Sequence, residues 1–202
     1  MDIKRTPCRL GVLYERRAVR SYTDEALDRP MVEALLDAAI QAPTAMHQEP
    51  WSFVVVQDRS RLRDWSDRAK AMSRAHERLA DPTAAAPGRG PLSAPAFNIF
   101  YDAGTLIVVC RKIAGAYAEA DCWLAAQNLM LAATANGLGS CCIGLAVSVL
   151  NEPDVKQALG IPPAGAAVAP IIVGVSRGVP TPVGRQPAQV LSWWGPEPGS
   201  GA

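Results

Sequence analysis

The stretch Glu15-Arg16-Arg17-Ala18-Val19-Arg20-Ser21-Tyr22 places three guanidinium groups within five residues of a chain that is otherwise balanced in charge. Arginine presents a planar fork of donors that pairs bidentately with phosphate oxygens and keeps its charge near neutrality. Taken alone, the stretch reads either as an anion site or as a solvated face. The chain offers little other reactive machinery. His47 and His76 are the two histidines, and neither accompanies a Gly-x-Ser-x-Gly turn or a catalytic cysteine motif. No His, Asp, Glu or Cys group has metal-ligand spacing, so no metal is expected. Gly137-Leu138-Gly139 lacks the third glycine and the preceding strand of a dinucleotide fingerprint. An enzyme built this way draws its reactivity from a bound cofactor, and no side chain is named as catalytic.

At 202 residues the chain suits one domain spanning 1–202. A net charge of +1 argues against a nucleic-acid binder, which needs a clustered basic excess. About half the residues are apolar and 19% are charged, a balance that favours extensive burial and a subunit interface. Cys122 to Asn151 carries no charge, yet Gln127, Asn128, Asn136, Gly137 and Gly139 interrupt it, so a membrane span is excluded. Met1 to Thr6 lacks an apolar signal core, and five cysteines without zinc spacing fit a cytoplasmic protein.

Several elements must position the arginines. Thr6-Pro7 opens a helix through about Arg16, and Asp28-Arg29-Pro30 opens a second from Pro30 to Ala42. Ser52 to Gln57 and Leu106 to Cys110 read as buried strands. Ser60 to Leu79 is an amphipathic helix with Leu62, Trp65, Ala69 and Met72 inward. Ala80 to Pro95, with four prolines, is an irregular loop of the kind that forms a lid. Tyr117 to Asn136 is the longest helix, about 30 Å at 1.5 Å per residue. It is apolar nearly all round, which suits the centre of a dimer interface or, alternatively, burial within one monomer. A short helix follows near Pro153 to Leu159. Ala167 to Val175 is a third strand whose Pro170 suggests an edge or a bulge. From about 178 prolines keep the chain extended, with Gln186 to Trp194 able to hold a turn of helix.

Four segments together resemble the flavin-dependent nitroreductase family over about Leu10 to Trp193. They are Arg16-Arg17-Ala18-Val19-Arg20; Ala42-Pro43-Thr44-Ala45-Met46-His47-Gln48-Glu49-Pro50-Trp51; Asn136-Gly137-Leu138-Gly139 with Ile143-Gly144; and Gly184-Arg185-Gln186-Pro187. The resemblance implies an α+β fold, a mixed sheet flanked by helices, in an intertwined homodimer with two FMN sites at the interface. It implies that Arg16 and Arg185 hold the FMN phosphate, and that Arg17 and Arg20 lie at the ribityl chain and pyrimidine edge. There a cation stabilises the negative charge developing at N1 and the C2 carbonyl on reduction. Ile143 and Gly144 would approach flavin N5 and O4 through their backbone, and Thr44, Ala45, Met46 and His47 would complete the site from the other subunit. Ala18 stands where the family commonly has Ser, His47 and Glu49 where it has Asn and Gln, and Val183 where it is often basic.

The function this implies is an FMN-dependent oxidoreductase. Hydride passes from NADH or NADPH to flavin N5, and a small electrophile (nitroaromatic, quinone or activated alkene) is then reduced in a ping-pong cycle. The alternatives are a family branch with other flavin chemistry, dehalogenation or flavin breakdown, and a non-catalytic FMN-binding protein.

Overall fold

A computed structural model describes residues 10–80 and 94–195. In chain order it contains α1 (Gly11–Glu15), α2 (Arg29–Ala39), β1 (Trp51–Val56), α3 (Arg59–Ala80), β2 (Thr105–Arg111), α4 (Ala118–Ala135), β3 (Gly139–Cys142), α5 (Ala146–Leu150), α6 (Pro153–Ala158) and β4 (Ala166–Gly174). The four strands form one sheet in the order β1-β2-β4-β3, with every neighbouring pair antiparallel.

Alternation along the strands builds two cores, one on each face of the sheet. Leu106, Val108, Cys110 and Ile172 face Leu62, Trp65 and Ala69 of α3 and Ala146, Val149 and Leu150 of α5. Ile107, Val109, Ile171 and Val173 face Val32, Leu35 and Ala39 of α2 and Cys122, Ala125, Ala126 and Leu129 of α4. With helices on both faces, β2 and β4 are apolar at nearly every position. The α+β class is thereby set by burial on two sides.

The sheet expected to be mixed is antiparallel in its named strands, and among the described residues its parallel component is a single bridge between Ala18 and Ser140. That bridge matters, because the arginine segment is laid along the free edge of β3: Val19 N–H donates to the Ser140 carbonyl at 3.0 Å. The segment then crosses to the end of β4, where Thr23 N–H donates to the Val175 carbonyl and Arg177 N–H donates to the Ser21 carbonyl. Gly139 makes the close approach possible. A Cβ there would lie 2.8 Å from the Cβ, Cγ1 and Cγ2 of Val19.

Pro170 is in a central strand, not at an edge, and a bulge sits nearby where the β2–β4 register shifts between Val109 and Cys110. A residue in an antiparallel ladder turns its N–H and its carbonyl towards the same neighbour. The Pro170 carbonyl accepts from Ile143 N–H at 2.8 Å, so the missing donor faces β3 where that strand has ended at Cys142. The ladder therefore loses nothing.

Asp28 caps α2, accepting from Met31 N–H at 2.9 Å, with Pro30 in the first turn as expected; the helix ends at Ala39, before the expected Ala42. The expected start of α1 at Thr6-Pro7, and the lid expected over 80–95 apart from its ends, lie outside the described residues. In the single chain α4 is buried on one side only, leaving Trp123 and Leu124 nearly half exposed. The arm after Gly178 has no helix or strand up to residue 195, so the helical turn thought possible over Gln186 to Trp194 does not form.

Candidate functional site

The arginines leave α1 because Arg16 adopts an extended conformation (φ −55°, ψ 128°), and the chain then follows the β3 edge. Arg16, Arg17, Ala18 and Arg20 line one cavity of about 530 Å³ together with Arg177, Gly178, Val183 and Arg185 from the far end of the chain. Arg17 folds back on its own helix, donating from Nη1 to the Tyr14 and Arg16 carbonyls. Such a cation satisfies orphan carbonyls at a helix C-terminus. Its Nε is buried and has no partner.

A second cavity of about 180 Å³ is lined by Arg20, Phe97, Tyr101, Cys142, Ile143 and Gly144, so Arg20 belongs to both. A Cβ added at Gly144 would meet nothing within 4 Å, leaving that wall open to a flat group. Tyr22 stiffens the strip between the cavities: its hydroxyl donates to the Val19 carbonyl at 2.7 Å, and burial pushes its pKa well above the usual phenol range. Burial likewise holds the Cys142 thiol up at about 11 and raises that of Cys141, against the pull of Arg20 and Arg16.

Thr44, Ala45, Met46 and His47 line neither cavity of their own chain. They form a 3-10 turn in which Met46 and His47 both have φ 54°, and Glu49 has φ 44°. Left-handed backbone at residues other than glycine costs on the order of 1 kcal/mol or more each and clusters at functional sites. The turn is held by Asp121, whose buried carboxylate accepts from Ala45 N–H with both oxygens at 3.2 Å. Asp121 stands in the first turn of α4, where a helix end favours a negative charge. Met46 is 82% exposed.

Sequence reasoning missed Asp121, Phe97, Tyr101 and Arg177. The available signal for Asp121 was its place as the last charge before the uncharged run. Phe97 follows the proline-rich loop and shows no period, yet α3 fixes it: Lys70 Nζ donates to the carbonyls of Pro95 (3.2 Å) and Phe97 (2.7 Å), and Ile99 N–H donates to Ser66 Oγ at 3.0 Å. Among the described residues no group of three His, Cys, Asp or Glu side chains is placed to hold a metal, and no helix is long and apolar enough to cross a membrane.

A family model described as the nitroreductase family matches residues 13–175. A protein of Methanothermobacter thermautotrophicus, provisionally named an NADH dehydrogenase/NAD(P)H nitroreductase, is 30% identical over 158 residues, covering 76% of this chain and 69% of that one. The 5,6-dimethylbenzimidazole synthase of Rhodospirillum rubrum is 33% identical over 180 residues, covering 83% and 82%. Among solved structures, a nitroreductase with bound FMN from Bacteroides fragilis superimposes with a TM-score of 0.76 at 24% identity, covering 92% of this chain and 98% of that one.

Proposed function

The chain belongs to the nitroreductase family, and from that premise we propose that it is an FMN-dependent NAD(P)H oxidoreductase reducing a small electrophile: a nitroaromatic, quinone or activated alkene. The observation that carries this reading is the convergence of Arg16 and Arg185, from opposite ends of the chain, on one cavity that shares Arg20 as a wall with the Ile143–Gly144 pocket. FMN, when bound, supplies the redox chemistry, taking hydride from the nicotinamide and passing electrons to the acceptor.

The residues present fit such a group. Two guanidinium forks, Arg16 and Arg185, suit a phosphate dianion. Arg17 lines the same cavity with its buried Nε unpartnered, which suits an acceptor on the ribityl chain. Arg20 supplies fixed positive charge at the pyrimidine edge, where it favours gain of electrons. Ala18 contributes backbone only. Ile143 and Gly144 offer an open backbone wall for the ring, and Gly144 allows close approach. No side chain is assigned a proton-transfer role; the proton comes from solvent, and the protein positions, polarises and excludes water.

Thr44, Ala45, Met46 and His47 complete the site of a second subunit, a placement supported by the fact that they line neither cavity of their own chain and by the exposure of Met46. A homodimer is further supported by apolar groups that one chain leaves uncovered: Trp123 and Leu124 on α4, and Leu191, Trp193 and Trp194 on the extended arm, the last three nearly 90% exposed or more. Glu49, in the same loop, is also exposed in the single chain.

The purified protein is expected to take up FMN, to be bleached rapidly by NADH or NADPH and to recover its colour with a quinone. A colourless protein that fails to bind added FMN overturns the reading. The similarity to 5,6-dimethylbenzimidazole synthase favours one alternative, a branch with other flavin chemistry, since the product in that name carries the dimethylbenzene ring of a flavin. Release of dimethylbenzimidazole from reduced FMN and oxygen, with no quinone turnover, would decide for it.

A further inference from the structure

We propose that the arginine-lined cavity adjoining the flavin pocket is a second anion subsite, which takes the phosphate groups of the nicotinamide dinucleotide. The inference rests on the oxidoreductase reading. The cavity, about 490 Å³, is lined by Arg20, Arg59, Arg63 and Arg177, with Asp24 and Asp102 as its acidic groups. Four guanidinium groups against two carboxylates make a local cationic surplus in a chain whose whole net charge is +1.

The surplus is not spent on tight ion pairs. Arg59 and Arg177 share Asp24 at 3.6 and 3.5 Å, and Arg63 stands 3.8 Å from Asp102. On the same helix α3, Arg68 grips Asp154 with two hydrogen bonds of 2.7 and 3.0 Å. Arg59 Nη2 also donates to the Asp24 carbonyl at 3.2 Å and Arg177 Nε to the Tyr22 carbonyl, so these two are fixed in place by backbone, while the loose carboxylate contacts leave Arg63 with donors for an anion. Arg59 and Arg63 are one helical turn apart and share a face.

The opposite wall is built, not incidental. Tyr101 and Asp102 both hold left-handed backbone, φ 52° and 55°. Asn98 fixes that turn, donating to Asp102 Oδ1 and accepting from Phe100 N–H, both at 3.0 Å. Phe97 and Tyr101 meet edge to face with centroids 5.4 Å apart, and with Arg20 they border both this cavity and the Ile143–Gly144 pocket. A ligand with its reactive ring at Ile143–Gly144 thus finds cationic space next door. Arg16 and Arg185, the pair assigned to the flavin phosphate, line a different cavity, so this one remains for the donor. A nicotinamide dinucleotide has that form: a flat ring tethered to phosphates too bulky for the 180 Å³ pocket.

The test is calorimetric titration of the FMN-loaded protein with 2′,5′-ADP, which bears phosphates and transfers no hydride, in wild type, Arg59→Ala, Arg63→Ala and Arg63→Lys. Binding is expected to weaken by roughly threefold to tenfold in each alanine variant and by less in the lysine variant, which keeps the charge and loses the fork. Stopped-flow reduction by NADPH should follow the same order, with reoxidation by a neutral quinone unchanged. Unaltered 2′,5′-ADP affinity in both alanine variants overturns the subsite. A loss confined to reduction of nitrobenzoate, with nitrobenzene and NADPH unaffected, assigns the arginines to an anionic acceptor and also overturns it. Failure of both nucleotides to reduce the wild-type flavin instead refutes the oxidoreductase reading, and the 2′,5′-ADP titration then decides the subsite by itself.

Discussion

Replacing Gly139 by alanine tests whether the close approach of β3 and the arginine segment is what positions the site. The new Cβ would lie 2.8 Å from three atoms of Val19, well inside contact distance. Val19 cannot swing clear, because a β-branched side chain has few χ1 alternatives and the Val19 Cβ is itself one of the three atoms. The segment must therefore move away from β3, straining the 3.0 Å bond from Val19 N–H to the Ser140 carbonyl. Overpacking of this kind costs about 1 to 3 kcal/mol. For a domain of this size that lowers the midpoint of thermal unfolding by about 2 to 12 °C. Because Arg16, Arg17 and Arg20 ride on the same segment, FMN affinity should fall alongside stability. Calorimetry and fluorescence titration with FMN measure the two. Val19→Ala removes two of the three clashing atoms, so Gly139→Ala should cost less in that background, the signature of coupled neighbours. A Gly139→Ala protein with wild-type stability and FMN affinity would refute the reasoning.

Other substitutions probe the remaining parts. Arg16→Ala and Arg185→Ala should each weaken FMN binding by about 1.5 to 3 kcal/mol, roughly tenfold or more, and unchanged affinity in both defeats the phosphate assignment. Asp121→Ala releases the strained turn at Ala45 and should weaken FMN binding by roughly tenfold, with partial rescue in Asp121→Asn, whose amide oxygen still accepts from Ala45 N–H; a stability loss with no change in FMN affinity would make Asp121 a scaffold residue only. Burial pushes the Cys110 thiol up to about 12 and the Cys122 thiol up to about 11. These thiols ionise more readily once unfolded, so above about pH 8.5 the unfolded state binds fewer protons. Stability is thus full below that pH and falls as pH rises towards 11–12. Urea midpoints at successive pH values should show the decline, and Cys110→Ala/Cys122→Ala should flatten it; an equal decline in that variant sinks the assignment.

Strong periodicity made most of the fold legible. Val32, Leu35 and Ala39 on α2, Leu62, Trp65 and Ala69 on α3, and the β-branched run of β2 fell on buried faces as their spacing predicts, whereas β1, expected to be buried, is an edge strand that is only half-buried and leaves Val55 exposed. β3 stayed hidden because Gly139-Ser140-Cys141-Cys142 has no β-branched residue, and its neighbours on either side carry no charge to mark an end. Its membership of the sheet comes from pairing with Gly174 to Ile171, a long-range contact with no local signal. The full burial expected of α4 came from its composition, but Trp123 and Leu124 face outward in one chain. Arg16, Arg17, Ala18, Arg20 and Arg185 line one cavity and Ile143 and Gly144 another, a grouping that composition and periodicity did not offer and that only the family resemblance suggested. The role of Asp121 was illegible, since a single carboxylate says nothing about the loop, distant in sequence, that it holds.

Pro170 also acts as a boundary marker. Strand pairing tends to propagate like a closing zip, each exchange of hydrogen bonds aligning the next. A residue without an amide proton ends that propagation at a fixed tooth. Backbone before the stop is committed to the ladder, and backbone after it, Gly144 and Leu145, is left free to shape the cavity that the strand end also borders. With alanine there the zip could close one tooth further and draw this wall into the sheet. A proline buried in the middle of the scaffold thereby decides where scaffold stops and working surface begins.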